Sequence, residues 1–118
     1  MEDKKYLGRR GEDLAKEYLR RNGYEIKAAN YRAGHKEIDL IAARSGQTVC
    51  FEIKTRTDDN LAPEECLTAR QTGRLKSALR SYCYENRLDS ETVRGDLIII
   101  TINRKKSTAE IRHYLRAF

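Results

Sequence analysis

The sequence predicts a single-domain α/β sandwich: a mixed central sheet with helices packed on it, in the order helix, three strands, helix, two strands. Three observations lead there. Two stretches carry apolar residues at helical spacing, five shorter ones are rich in β-branched or aromatic residues between turn formers, and no linker-like or repetitive segment divides the 118 residues. A chain of that length buries one hydrophobic core, so any site for chemistry has to share it.

The first helix is expected from about Lys4 to Asn22. Leu7, Gly8, Gly11, Leu14, Ala15, Tyr18 and Leu19 recur on one face, and Gly23 is the stop signal. Tyr24 to Tyr31, Glu37 to Arg44 and Gln47 to Thr55 then read as strands, the last two joined as a hairpin at Ser45-Gly46. After a polar loop with the only proline, Pro63, the helical period returns from Thr68 to Asn86 through Leu75, Ala78, Leu79, Tyr82 and Cys83. Asp96 to Ile102 is a nearly unbroken apolar run suited to a sheet interior, and Glu110 to Leu115 follows it after a polar turn.

Composition narrows the function classes. The longest apolar run, Leu97 to Ile100, is far short of the roughly 18 residues of a membrane helix. The first residues, MEDKKYLGRR, are charged and hold no apolar leader, so a cytoplasmic protein without membrane attachment is expected. Cys50, Cys66 and Cys83 are odd in number and widely spaced, which encodes neither a disulfide framework nor a zinc site. The net charge of +6 is Arg-rich, 15 Arg to 9 Lys, which suits phosphate contacts and makes nucleic acid a natural partner; a merely soluble charged surface is the plain alternative.

Glu-Ile-Lys occurs at Glu25 to Lys27 and again at Glu52 to Lys54. The tripeptide itself says little, since 11 Glu and 9 Lys should give about one Glu-x-Lys by chance. The partner across the ladder separates the copies. With Ser45 and Gly46 at the hairpin tip, opposed residue numbers sum to 91, so Asp39 faces Glu52 and Glu37 faces Lys54. Alternation then puts Glu37, Asp39, Glu52 and Lys54 on one charged face and Ile38, Leu40, Ala42, Phe51 and Ile53 on an apolar one. Opposed carboxylates cost stability, and a divalent cation such as Mg²⁺ would offset that cost while leaving positions for water and phosphate oxygens. Lys54 would lie beside it, placed for metal-dependent phosphodiester hydrolysis. On geometry alone, a solvated face with Glu37 paired to Lys54 is an equal reading.

The motifs GRRGEDLAKEYLRRNGY, NYR, EIDLIA, FEIKTR, LTARQTGRL and RGDLIII, in this order, resemble those of the PD-(D/E)xK nuclease superfamily. Within it they are similar to the bacterial YraN-like family, akin to archaeal Holliday-junction resolvases. The resemblance implies a restriction-endonuclease-like fold and a Mg²⁺- or Mn²⁺-dependent endonuclease acting on branched or otherwise structured DNA. It implies that Asp39 and Glu52 bind the metal with the backbone carbonyl of Ile53, that Lys54 assists the attacking water, and that Glu12 is an additional catalytic acid. A homodimer is expected for symmetric cutting of a junction.

Two positions depart from the family pattern. Lys36 stands where members carry Gly, and Gln71-Thr72 stands where they carry Lys then Gln. Gln71 falls on the inward side of its helix and is retained as a catalytic candidate, with a capping role as the alternative. Arg56, Arg32, Tyr31 and His35 are candidates for contacting nucleic acid, against ordinary surface or packing roles. Asp96 is expected to be structural, pairing with Arg94 or a neighbouring turn. The rival functions are a non-catalytic nucleic-acid-binding protein that keeps the nuclease fold, and an adaptor for acidic partners.

Overall fold

The computed structural model describes residues 4–58 and 67–118. The loop around Pro63, and Cys66 with it, lies outside the described residues. The order is α1 (Lys4–Arg21), β1 (Glu25–Ala33), β2 (Lys36–Arg44), β3 (Gln47–Thr57), α2 (Ala69–Glu85), β4 (Arg94–Asn103) and β5 (Thr108–Tyr114). A 3₁₀ turn at Ser90–Thr92, unmarked by any sequence period, precedes β4. Among the described residues no helix is long and apolar enough to cross a membrane.

The five strands lie in sequence order, with β3 and β4 parallel and every other pair antiparallel. This is the mixed sheet that the helical crossover requires, because parallel neighbours cannot be joined by a tight turn. α1 packs on one face, where its Ala15 and Leu19 cluster with Tyr24, Leu40, Ala42, Val49, Phe51, Ile98, Ile100 and Ile102. α2 packs on the other, over β1 and β2, where Ile38, Ile41, Cys50, Leu75, Ala78, Leu79 and Cys83 form a second cluster. Cys50 and Cys83 are free thiols.

Local chemistry sets the boundaries. α1 ends in a Schellman motif: Gly23 takes φ +85°, Tyr24 N–H donates to Leu19 O at 2.9 Å, and Gly23 N–H donates to Arg20 O at 3.1 Å. Leu19 and Tyr24 then share the same cluster. α2 opens with a capping box in which Gln71 N–H donates to Thr68 Oγ1 and Thr68 N–H donates to Gln71 Oε1. Ser45 and Gly46, at φ 51° and 77°, give the β2–β3 hairpin the tip its two-residue loop needs.

The hairpin register follows the expected sum from Arg44↔Gln47 to Leu40↔Phe51, and stops there. The expected pairing of Glu37 with Lys54 does not form. β3 continues along β4 to Thr57↔Ile102, while β2 continues along β1, where Glu37 faces Arg32 with 4.0 Å between their charged atoms. The two strands therefore diverge beyond Phe51.

The expected division into one apolar and one charged face is also corrected. Ile41 and Cys50 are buried beneath α2, because helices cover both faces of this part of the sheet. Alternation resets at Asp39: Ile38 joins Ile41 under α2, whereas Leu40 lies under α1. Asn30, at φ 52°, stands between the pairs Ala29↔Leu40 and Tyr31↔Ile38, at the level of Asp39. A left-handed residue there turns the ladder locally.

Candidate active site

The site begins where the β2–β3 ladder ends. Asp39 Oδ2 accepts a hydrogen bond from Ile53 N–H at 2.8 Å, so a side chain satisfies the donor that β2 no longer reaches. In an extended strand the N–H and C=O of one residue point the same way, which turns the Ile53 carbonyl toward the same gap. Asp39, Glu52, Ile53 and Lys54 are all half-buried.

The expected ladder pair of Asp39 with Glu52 does not form, because the register stops at Leu40↔Phe51, but the two side chains still meet. Burial, then the hydrogen bond to Asp39 and the repulsion from its charge, push the Glu52 carboxyl well above the ordinary carboxylate range. The Ile53 N–H and the Lys54 ammonium oppose that shift without cancelling it. A cation set between the two carboxylates would relieve the repulsion that raises the Glu52 pKa.

α1 supplies the third side. Gly11 lies directly on β3: a Cβ added to it would fall 1.8 Å from Thr55 Oγ1 and 2.8 Å from Thr55 Cβ. Only a glycine permits this approach, and it brings the next residue, Glu12, to the gap. Glu12 Oε1 accepts from Asn30 Nδ2 at 3.2 Å and lies 3.4 Å from Lys16 Nζ. Gly8, one turn earlier on the same face, borders open space.

The result is an open cleft of about 550 Å³ that includes Lys5, Arg9, Glu12, Asp39, Ile53 and Arg56. Lys5 and Arg9 went unnoticed in the sequence, although their spacing of four, with Glu12 three further on, places all three on one helix face. Among the described residues no three His, Cys, Asp or Glu side chains gather tightly enough to enclose a metal by themselves. A cation held here relies on two carboxylates, a backbone carbonyl and solvent, the donor set Mg²⁺ tolerates best.

The remaining candidates separate. Arg56 borders the cleft and donates from Nε to Thr101 Oγ1 at 3.0 Å. Gln71 is not part of the constellation, because its amide completes the capping box. Tyr31 is turned onto α2, its hydroxyl donating to Glu85 Oε1 at 2.8 Å and its ring edge-on to Tyr82. Arg32 is exposed and faces Glu37, and His35 is exposed in the β1–β2 turn. The first Glu-Ile-Lys copy is a surface pair, with Lys27 Nζ 3.3 Å from Glu25 Oε2.

Asp96 has the structural role expected of it. The residue is wholly buried, and it accepts two bonds from Arg94, at 2.8 and 3.0 Å, and one from Arg116 N–H at 3.1 Å. His113 Nε2 lies 2.7 Å away, and Tyr18 hydroxyl meets the other ring nitrogen at 2.9 Å. Burial raises the Asp96 pKa, but the bonds from His113, Arg94 and Arg116 outweigh it and leave the carboxyl below its ordinary value.

These features define a single mixed-sheet α/β domain with paired carboxylates at the break in its sheet. The chain belongs to the uncharacterised protein family UPF0102, which matches residues 11–100 and is the YraN-like family its motifs resemble. It is 38% identical over 119 residues to a UPF0102 protein of Bacteroides fragilis, covering 100% of this chain and 96% of that one. A UPF0102 protein of Christiangramia forsetii is 40% identical over 113 residues, covering 95% of this chain and 92% of that one. Among solved structures, a repair endonuclease from Pyrococcus abyssi is similar over 90% of this chain, with a TM-score of 0.48 and 16% identity; the chain spans 42% of that protein.

Proposed function

We propose that the protein is a Mg²⁺- or Mn²⁺-dependent endonuclease that hydrolyses phosphodiester bonds in branched or otherwise structured DNA. The observation that supports this reading is the contact between Asp39 and Glu52 at a gap in the sheet, where two half-buried carboxylates meet and repel. A divalent cation would be held by Asp39, Glu52 and the Ile53 carbonyl, and when bound it supplies Lewis-acid polarisation of a phosphate oxygen and neutralises charge. Lys54 orients the attacking water and stabilises charge developing on the phosphate. Glu12 adds a further carboxylate at the cleft wall, and Arg56 fixes the phosphate. The protein works in the cytoplasm, and a homodimer would let two sites cut a symmetric branch together.

A second reading, a nucleic-acid-binding protein that keeps the nuclease fold without catalysis, draws on the Arg-rich net charge of +6. One experiment separates them: nicking of supercoiled and branched DNA with Mg²⁺ or Mn²⁺ by the native protein and by Asp39→Ala, Glu52→Ala and Lys54→Ala. The nuclease reading expects each variant to lose about 100-fold or more in rate. Equal cleavage by all four preparations would sink the assignment, and DNA binding without cleavage by the native protein would favour the second reading.

A further inference from the structure

We infer that the cut strand is held well beyond the carboxylates, along a phosphate track running from Lys54 past Arg56 to the basic tip of the β4–β5 hairpin. The inference rests on the nucleic-acid reading of the site and adds to it where the strand lies.

Arg56 borders two clefts. One is the carboxylate cleft, and the other, of about 340 Å³, lies on the sheet face opposite α1 and includes Thr101, Asn103, Lys106, Thr108, Glu110 and Arg112. Neither helix covers that part of the sheet, since α1 takes the other face and α2 packs on β1 and β2. The register fixes the path. Glu52, Lys54 and Arg56 alternate onto one face, Arg56 stands beside Thr101, and Thr101 stands beside Glu110.

Two residues on from Thr101 the strand reaches Asn103, which pairs with Thr108 across the loop Arg104-Lys105-Lys106-Ser107. Asn103 Oδ1 accepts from Lys106 N–H at 3.0 Å, fixing the turn that presents three consecutive cations. Asp58 and Glu110 also border this cleft, and Glu110 accepts from Arg112 Nε at 2.7 Å, so its charge is already matched.

About five to six residues of strand rise, from Ile99 beside Lys54 to Arg104-Lys105, and one strand spacing put the hairpin tip about 17–20 Å from Lys54. A single strand, whose successive phosphates lie farther apart than the roughly 3.4 Å rise of a duplex, spans it with a few nucleotides. The cations are therefore spaced for successive phosphates of one strand, leaving the carboxylates at one end. Such contacts position a backbone without reading its bases, so the track contributes affinity and orientation, with no sequence preference.

The test compares two charge-matched double variants binding a labelled 20-nucleotide single-stranded DNA in EDTA, where no cleavage is needed. Lys105→Glu/Lys106→Glu removes the hairpin end. Lys76→Glu/Arg80→Glu makes the same charge change beside Val93, at the opposite end of β4. The track predicts at least about tenfold weaker binding for the hairpin variant and a salt slope shallower by about 1.4, for two lost phosphate contacts, with under about threefold loss for the control. Equal losses in both variants would mean that only net charge matters, and no loss in either would mean the strand lies elsewhere; both overturn the track. All four positions are exposed, and circular dichroism confirms that each variant is folded. The two proposals fail separately: cleavage unaffected by the hairpin variant removes the track and keeps the nuclease, whereas hairpin-dependent binding without cleavage keeps the track and removes the nuclease.

Discussion

Adding one methyl group to α1 at two places should have opposite effects. Gly11→Ala introduces a Cβ 1.8 Å from Thr55 Oγ1, 2.8 Å from its Cβ and 2.9 Å from its Cγ2. A rotamer change can move the hydroxyl, but Thr55 Cβ is fixed to the strand, and carbon atoms prefer roughly 3.5–4.0 Å. Helix or strand must therefore shift by about 1 Å, an overpacking cost of about 1–3 kcal/mol. Gly8→Ala meets nothing within 4 Å. Both substitutions gain about 1 kcal/mol of helix propensity, so that gain cancels between them and the difference isolates the clash. Urea unfolding followed by circular dichroism should place Gly11→Ala about 1–3 kcal/mol below Gly8→Ala. Because the shift also carries Glu12 away from Asn30, cleavage measured well below the unfolding transition should fall in Gly11→Ala. Equal stabilities for the two variants would refute the close packing of α1 on β3.

Asp96→Asn should cost about 3 kcal/mol or more at neutral pH, since it leaves Arg94 beside a neutral partner in the interior. The folded-state pKa of Asp96 is lowered, so its stabilisation is full above the unfolded value of 3.8 and is lost as pH falls through the folded one. Melting temperatures across acid pH should therefore converge for the two proteins below that value; a constant gap would contradict the linkage. At the start of α2, Thr68→Ala and Gln71→Ala should each lose about 1 kcal/mol, and the double variant less than the sum, because the two bonds form one reciprocal box. Full additivity in urea unfolding would show that the bonds act independently.

The elements legible in the sequence were those with local causes. Gly23 and Ser45-Gly46 need left-handed backbone and take it, so the end of α1 and the hairpin register followed from residue type. Extended one pair further, that register put Glu52 against Asp39 and set the second Glu-Ile-Lys apart from the first; the ladder pair does not form, but the side chains meet. What stayed hidden depends on a third strand. Nothing in β2 or β3 says that β4 holds β3 while β2 turns toward β1, and so the Glu37–Lys54 pair was expected where the sheet opens instead. Asn30 and the reset at Ile38 were hidden for the same reason. Gln71 had two roles open to it, and a Thr three residues earlier decided for the cap.

The divergence of β2 and β3 has a consequence for how the protein folds. Glu12, Asp39, Glu52 and Lys54 all lie in the first half of the chain, in elements joined by tight turns that close quickly. The strand that carries β3 on past the break, β4, joins only after the α2 crossover, a slower, non-local step. The site is therefore completed last although its residues come first, and an activity that cuts phosphodiester bonds would be withheld from the chain until the sheet is whole.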